Sequence, residues 1–274
     1  NIQRIKDDFD TDLSGYAIVS SNLDFKDYNN ILLNISLMNY FKGIGLKPLI
    51  FNTYQYYSLF KKIKFLAKKN LACYADISFY ELYKLSNQIL KGDYNKILNY
   101  KYKDISCGKF AISTSMRMLR VAKINLKNAS HKNCVLFNLR KSIQYADAAL
   151  KFVNENDIRY ALFNDRGYCG EGELYEVCIK NKIKCVQHIA TYKNGVFLIK
   201  KFSNNNQNDH PSSISDKDWI NFENKKIEKI QLDYLNKEIR DSYYNNTWYP
   251  SAGTMVGKDL KSTKDILKEI GINN

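Results

Sequence analysis

The clearest pattern in the chain lies in residues 15–52, which read GYAIVSSNLDFKDYNNILLNISLMNYFKGIGLKPLIFN. The apolar run near its start is typical of a buried strand, and LKPLIFN at its end predicts a second strand. Between them, Ile31, Ile35 and Met38 recur at helical spacing, and Gly43 marks the expected end of that helix. The order predicts a βαβ unit, in which two parallel strands are joined by a right-handed crossover.

The same alternation returns in the middle of the chain. SIQYADAALKFVNENDI predicts a helix, IRYALFN a strand, ELYEVCIKNK a helix and IKCVQHI another strand. This order favours continuation of one sheet. The predicted fold class is therefore α/β, a Rossmann-like parallel sheet flanked by helices, with a helical C-terminal extension.

The pattern also suggests a domain layout. Residues 12–215 are expected to form the Rossmann-like domain, with a helical insertion at about 53–125, and 216–274 a helical extension or linker. Within the insertion, SCGKFAISTSMRMLRVAKINL predicts a helix from about Gly108 onward. The polar stretch 203–213 has no periodicity and is expected to be a mobile loop, and 216–244 is expected to be one long amphipathic helical stretch.

Composition narrows the class of protein. At 45% hydrophobic and 26% charged residues the chain is an ordinary globular one. The net charge is +14, but abundant Asn, Ile, Lys and Tyr are what an AT-rich genome encodes, so the charge is weak support for nucleic-acid binding. Six cysteines without a C-x-x-C pair and three scattered histidines predict no metal site and no disulfide framework. No separate cofactor is expected.

The sequence also bears on location. Its apolar stretches are far shorter than the roughly 20 residues of a membrane-spanning helix, which predicts no integral membrane segment. Residues 1–12 contain no apolar run of the kind found in a signal peptide. The expected location is the cytoplasm, with peripheral attachment at the inner membrane as one variant.

Ligands of open parallel sheets bind beyond the carboxyl ends of the strands, which points first to the loop after the first strand. There Asn22, Asp24 and Lys26 precede a helix N-terminus and are candidates for binding a substrate. The loop lacks the G-x-G-x-x-G fingerprint of dinucleotide sites. Capping of the following helix by Asp27 or Asn29 is the structural alternative.

The loop NDRGYCGEGE, residues 164–173, follows the IRYALFN strand. Asp165 and Glu171 are candidate catalytic carboxylates, and Arg166 and Glu173 are candidates for binding substrate. The structural alternative is that the two glutamates only stabilise the N-terminus of the next helix.

Two histidines complete the candidate site. His188 ends the IKCVQHI strand, where a general base would face the same cleft edge as Asp165. His210 lies in the polar loop, which is either a lid or a plain connector, and is a candidate for binding substrate. A half-buried structural histidine is the alternative for His188.

The order of these segments resembles the N-terminal half of bacterial capsule-polysaccharide glycosyltransferases of the two-domain GT-B type. The resemblance rests on residues 15–52, on ALFNDRGYCGEGELYEVCIKNKIKCVQH, and on NDHPSSISDKDWINF and DSYYNNTWYP. It implies transfer of a sugar from a nucleotide-sugar donor to a surface or capsular glycan acceptor. It also implies that Asp165, Glu171 and His188 line the interdomain cleft, with His210 on a neighbouring loop.

One departure from that family bears on activity. No second set of βαβ units follows residue 215, so either a C-terminal nucleotide-binding domain is missing or the protein is a single-domain relative. Motifs of phosphoryl transfer, serine hydrolysis and zinc proteolysis are absent from the sequence. Two other readings stay open: a basic, non-enzymatic module for anionic glycan or nucleic acid, and a stand-alone sugar-nucleotide enzyme such as an epimerase.

Overall fold

A computed structural model describes residues 15–20, 28–51, 71–72, 75–190 and 197–245. The strands in these ranges are β1 Tyr16–Ser20, β2 Lys47–Phe51, β3 Leu71–Ala72, β4 Ile158–Phe163, β5 Lys184–Ala190 and β6 Phe197–Phe202. The helices are α1 Tyr28–Gly43, α2 Phe79–Ile89, α3 Tyr94–Leu98, α4 Cys107–Leu119, α5 Ala129–Glu155, α6 Glu171–Lys180, α7 Asp216–Glu223 and α8 Lys229–Asn245.

The strands form one sheet in the order β3-β2-β1-β4-β5-β6. The first five in this order are paired in parallel. The chain builds outward from β1 to β3 and then returns to place β4 on the other side of β1. This confirms the predicted Rossmann-like α/β fold, and it puts the switch point of the topology between β1 and β4.

Alternating strand residues divide the core between the two faces of the sheet. On one face Ile18 and Phe163 pack with α5 and α6 in the largest apolar cluster. On the other face Tyr160 and Val186 pack against Phe41 of α1. The pleat places successive side chains on opposite faces, so this division also fixes which strand-end residues can share a cleft.

Several elements differ from the sequence-based expectation. The predicted helix from Gly108 ends at Leu119, because Arg120 adopts a left-handed conformation (φ 54°) that closes it. The single long helical stretch after residue 215 is two helices, separated by residues 224–228. β6 was not predicted, and α5 begins well before the expected start near Arg140. Residues 53–70 of the expected helical insertion and 246–274 of the expected helical extension lie outside the described residues.

Two compact units divide the chain. One is Asn1–His188 with Ile199–Pro211, and in its described part it holds most of the sheet and α1 to α6. The other is Ile189–Leu198 with Ser212–Asn274, and it contains α7 and α8. Within the described ranges, no helix combines the length and the apolar character needed to cross a membrane.

Candidate functional site

A cleft of about 450 Å³ lies at the carboxyl ends of β4 and β5. Its walls come from α4, from the loop between β4 and α6, and from the turns after β6. The residues that line it are Lys109, Phe110, Ser113, Asp165, Arg166, Gly167, Tyr168, Tyr175, Glu176, Gln187, Gln207, Asn208, Asp209, His210 and Pro211. Aromatic rings, amides and carboxylates thus converge at the edge of the sheet where α/β proteins bind ligands.

The loop between β4 and α6 is held by the first residue of α6. Glu171 is buried, and one of its carboxylate oxygens accepts hydrogen bonds from the backbone N–H groups of Asn164 and Asp165, each at 2.7 Å. Charge-assisted bonds of this kind are short and strong. Glu171 therefore fixes the backbone that presents Asp165, and it does not line the cleft itself.

Glu173 holds the same loop from inside the protein. Its side chain is fully buried. The carboxylate accepts one hydrogen bond from the hydroxyl of Ser142 on α5 and another from the backbone N–H of Gly170 at 2.6 Å. Burial raises the pKa of Glu173 to about 7, against the opposing effect of these hydrogen bonds. Gly170 has a φ of 106°, a conformation that a residue with a side chain rarely adopts.

These two glutamates change what the N-terminus of α6 can bind. In Rossmann-like folds a helix N-terminus after a strand commonly receives a phosphate, because its backbone N–H groups lack partners within the helix. Here the carboxylates of Glu171 and Glu173 already take N–H groups at this turn. This geometry matches the alternative that the two glutamates stabilise the N-terminus of α6. A diphosphate would have to displace them.

Asp165 is the carboxylate of the loop that reaches the cleft. Its side chain is 46% exposed and forms an ion pair of 3.1 Å with Arg117 of α4. Its other oxygen accepts the N–H of Gly167 at 3.1 Å. The Arg117 guanidinium lies 4.5 Å from the centre of the Tyr168 ring. Arg117 thus orients both the carboxylate and the aromatic ring at the cleft mouth.

Arg166 joins three parts of the cleft. Its Nε donates to Gln187 Oε1 at 3.1 Å, and its two terminal nitrogens donate to the carbonyls of Gln207 and Asp209. The guanidinium also packs against the rings of Tyr175 and Phe202, which are perpendicular to each other, at 4.7 and 4.0 Å from their centres. The polar turns at 203–209, which the sequence suggested were mobile, are therefore anchored to β4 and β5 through this residue.

His188 lies apart from these residues. Gln187 shares the cleft face of β5, so the pleat directs His188 to the opposite face, the side on which α1 packs. Burial lowers the pKa of His188, which favours its neutral form. The structure does not bring His188 together with Asp165, although both are at strand ends.

His210 does line the cleft, as an exposed side chain. The ammonium of Lys200 on β6 donates to the His210 carbonyl at 3.1 Å and pairs with Asp209 at 3.2 Å. Lys200 therefore fixes the backbone on which His210 stands. The three candidates of the first loop, Asn22, Asp24 and Lys26, lie outside the described residues.

The wall contributed by α4 was missed by the sequence analysis. Lys109 and Ser113, one helical turn apart, face the cleft beside Phe110. Gly172 at the start of α6 allows Phe110 to approach, since a Cβ on Gly172 would lie 2.3 Å from its ring. Lys109 and Ser113 are two of several polar residues in this helix, and their one-turn spacing does not reveal which element the helix packs against.

A second cavity, of about 470 Å³, lies between α2, α5 and the turn at Tyr102 and Lys103. Its buried carboxylate, Asp147, accepts bonds from the backbone N–H groups of Asp76 and Ile77, from Tyr102 and from Lys103, at 2.6 to 2.9 Å. Asp147 thus ties the segment before α2 to α5. These hydrogen bonds within the protein explain why a carboxylate is buried here.

Metal chemistry has little support in the described residues. They contain no group of three or more His, Cys, Asp or Glu side chains placed to hold a metal ion. The five cysteines among them, Cys107, Cys134, Cys169, Cys178 and Cys185, are free thiols.

Comparison with known proteins adds no relative. No family model matches the chain, and no curated protein or solved structure is significantly similar to it.

Proposed function

We propose that the chain is the acceptor-binding part of a glycosyltransferase, and that the cleft at the carboxyl ends of β4 and β5 receives the acceptor sugar. The observation that carries this proposal is the composition of the cleft. The partly exposed ring of Tyr168, the exposed amide of Asn208 and the carboxylate of Asp165 all line it. Sugars present C–H faces that pack on rings and hydroxyls that bond to such polar groups.

The N-terminus of α6 supports an acceptor rather than a nucleotide donor in this cleft. The carboxylates of Glu171 and Glu173 accept the N–H groups of Asn164 and Gly170 in the loop that leads into α6, so a donor diphosphate would meet two acidic side chains there. The nucleotide sugar then binds elsewhere in the complete enzyme, as the likeness to GT-B enzymes implies. The acceptor would be a surface or capsular polysaccharide.

Asp165 is the residue we assign to the chemistry. It is the half-exposed carboxylate at the cleft mouth, oriented by Arg117. In the transfer step it accepts the proton of the acceptor hydroxyl as that oxygen forms a bond to the anomeric carbon of the donor and the bond to the nucleotide phosphate breaks. Glu171, an original candidate for the same role, instead positions the Asp165 backbone.

A thermal-shift measurement tests the proposal. A ligand that binds only the folded state raises its melting temperature, by about 3–6 °C at ten times the dissociation constant for a chain of this size. We expect such a shift with short bacterial-type oligosaccharides and a smaller one with nucleotide sugars. Asp165→Asn should reduce the glycan-induced shift, while His188→Gln, on the other face of the sheet, should leave it unchanged.

The opposite pattern would contradict the proposal. A shift with nucleotide sugars alone, unaffected by Asp165→Asn, favours the stand-alone sugar-nucleotide enzyme. A shift with nucleic acid that disappears steeply with added salt favours the basic binding module.

A further inference from the structure

The charges around the cleft are unevenly paired. Its three carboxylates are all engaged: Asp165 with Arg117, Asp209 with Lys200, and Glu176 with the backbone N–H of Ser106 at 2.8 Å. The cations that remain on the wall are Lys109 and Arg166. Counting the partners Arg117 and Lys200 with them, four cations face three carboxylates.

Arg166 keeps its charge without a carboxylate partner. The three oxygens that accept its hydrogen bonds from Gln187, Gln207 and Asp209 are neutral, one in a side-chain amide and two in backbone carbonyls. These bonds use three of the five N–H donors of a guanidinium and fix its plane. A partly desolvated cation of this kind is stabilised when an anion binds beside it.

Lys109 is the second cation of the wall. It lies on the exposed side of α4, and its ammonium forms no ion pair or hydrogen bond with any residue in the described part of the chain. Its neighbours in the cleft include Ser113 one turn along the helix, a neutral hydroxyl. A ligand anion between α4 and the β4–α6 loop would therefore meet two positive side chains.

We propose that the acceptor is an acidic glycan, with a sugar carboxylate held between Lys109 and Arg166. The proposal rests on the function proposed above and names its substrate class. A donor diphosphate would supply the same charge, but the start of α6, where such a group would bind, carries Glu171 and Glu173, whose carboxylates accept the N–H groups of Asp165 and Gly170. A sugar carboxylate needs only the two side chains.

The test uses matched pairs of probes with the whole chain. Oligogalacturonate and oligosialate are titrated beside the same oligosaccharides with their carboxylates converted to methyl esters, and a nucleotide sugar is titrated separately. We expect the acidic form of at least one pair to bind about tenfold more tightly than its ester. Lys109→Gln should weaken the acidic form about threefold to tenfold and leave the ester unchanged.

Lys123→Gln is the control, since it removes the same charge from an exposed residue that does not line the cleft. Equal binding of acid and ester, or equal effects of the two lysine variants, would overturn this inference while leaving the acceptor function standing. Failure of every oligosaccharide to bind would contradict both. If only the nucleotide sugar binds, and Lys109→Gln weakens it, the anion at this site is the donor's phosphate and the inference fails.

Discussion

At the scale of single residues, Glu173 is a buried side chain that supports the loop lining the cleft. It is fully buried, with its pKa raised to about 7 mainly by burial. A folded-state pKa above that of the unfolded chain means that the folded protein binds the proton more tightly. The stability from Glu173 is therefore full below about pH 4.5 and is lost as the pH rises through about 7.

Replacing this carboxyl tests that account. Glu173→Gln mimics the protonated form, because the amide can accept the Gly170 N–H and donate to Ser142, which donates in turn to the Cys107 carbonyl. Between pH 5 and 8 the wild-type free energy of unfolding should fall by up to about 3 kcal/mol more than that of the variant. Urea denaturation of both proteins across this range measures the difference, and parallel curves would show that Glu173 does not titrate there.

Arg166 is the other residue whose role differs from its sequence-based assignment. Lysine keeps the charge but cannot hold three acceptors in one plane, and it lacks the flat guanidinium that packs against Tyr175 and Phe202. Arg166→Lys should lower the free energy of unfolding by about 2 kcal/mol and should speed amide hydrogen exchange in residues 203–209.

Arg159→Lys is the matched control for this substitution, since Arg159 is half exposed and forms an ion pair of 3.0 Å with nearby Asp157. It should change stability by less than about 0.5 kcal/mol. Unchanged exchange in residues 203–209 of Arg166→Lys would mean that Arg166 does not anchor these turns.

At the scale of elements, local pattern was enough where a strand and helix follow each other closely. β1, α1, β2, β4, α6 and β5 were all predicted from apolar runs and turn residues. β6 was not predicted, because FLIKKF carries two adjacent lysines and no alternation, and its position beside β5 is a tertiary effect. The C-terminal end of α4 was not predicted, because nothing in the spacing of its apolar residues indicates the left-handed conformation of Arg120.

Close packing between α3 and α4 gives a test at this scale. A Cβ on Gly108 would lie 1.7 Å from the Ile97 carbonyl oxygen, a backbone atom that cannot move alone. Gly108→Ala should lower the free energy of unfolding by more than about 3 kcal/mol or prevent folding.

Gly43→Ala provides the comparison, because a Cβ there meets nothing within 4 Å at the end of α1. It should be neutral or stabilise the protein by up to about 1 kcal/mol. Chemical denaturation of both variants measures the contrast, and similar stabilities would contradict the packing of α3 on α4.

At the scale of the whole molecule, the cleft is assembled from segments far apart in sequence. The strand-end rule led to Asp165 and Arg166, because parallel strands end at one edge, whereas His210 was a candidate from its place in the polar loop. It did not show whether Gln187 or His188 points into the cleft, because the side of the sheet that a strand residue faces depends on which elements cover each side. It also could not place Lys109 and Ser113, whose helix reaches the cleft only through its packing on α5 and α6.

Chemical-shift mapping gives a direct test of whether this cleft binds a sugar. Oligosaccharide is titrated into isotopically labelled protein while the backbone amide resonances are followed. We expect dose-dependent shifts of the amide resonances of residues 109–113, 165–168 and 207–211, with little change at His188 on the opposite face. Shifts confined to other surfaces, or none at saturating glycan, would contradict it.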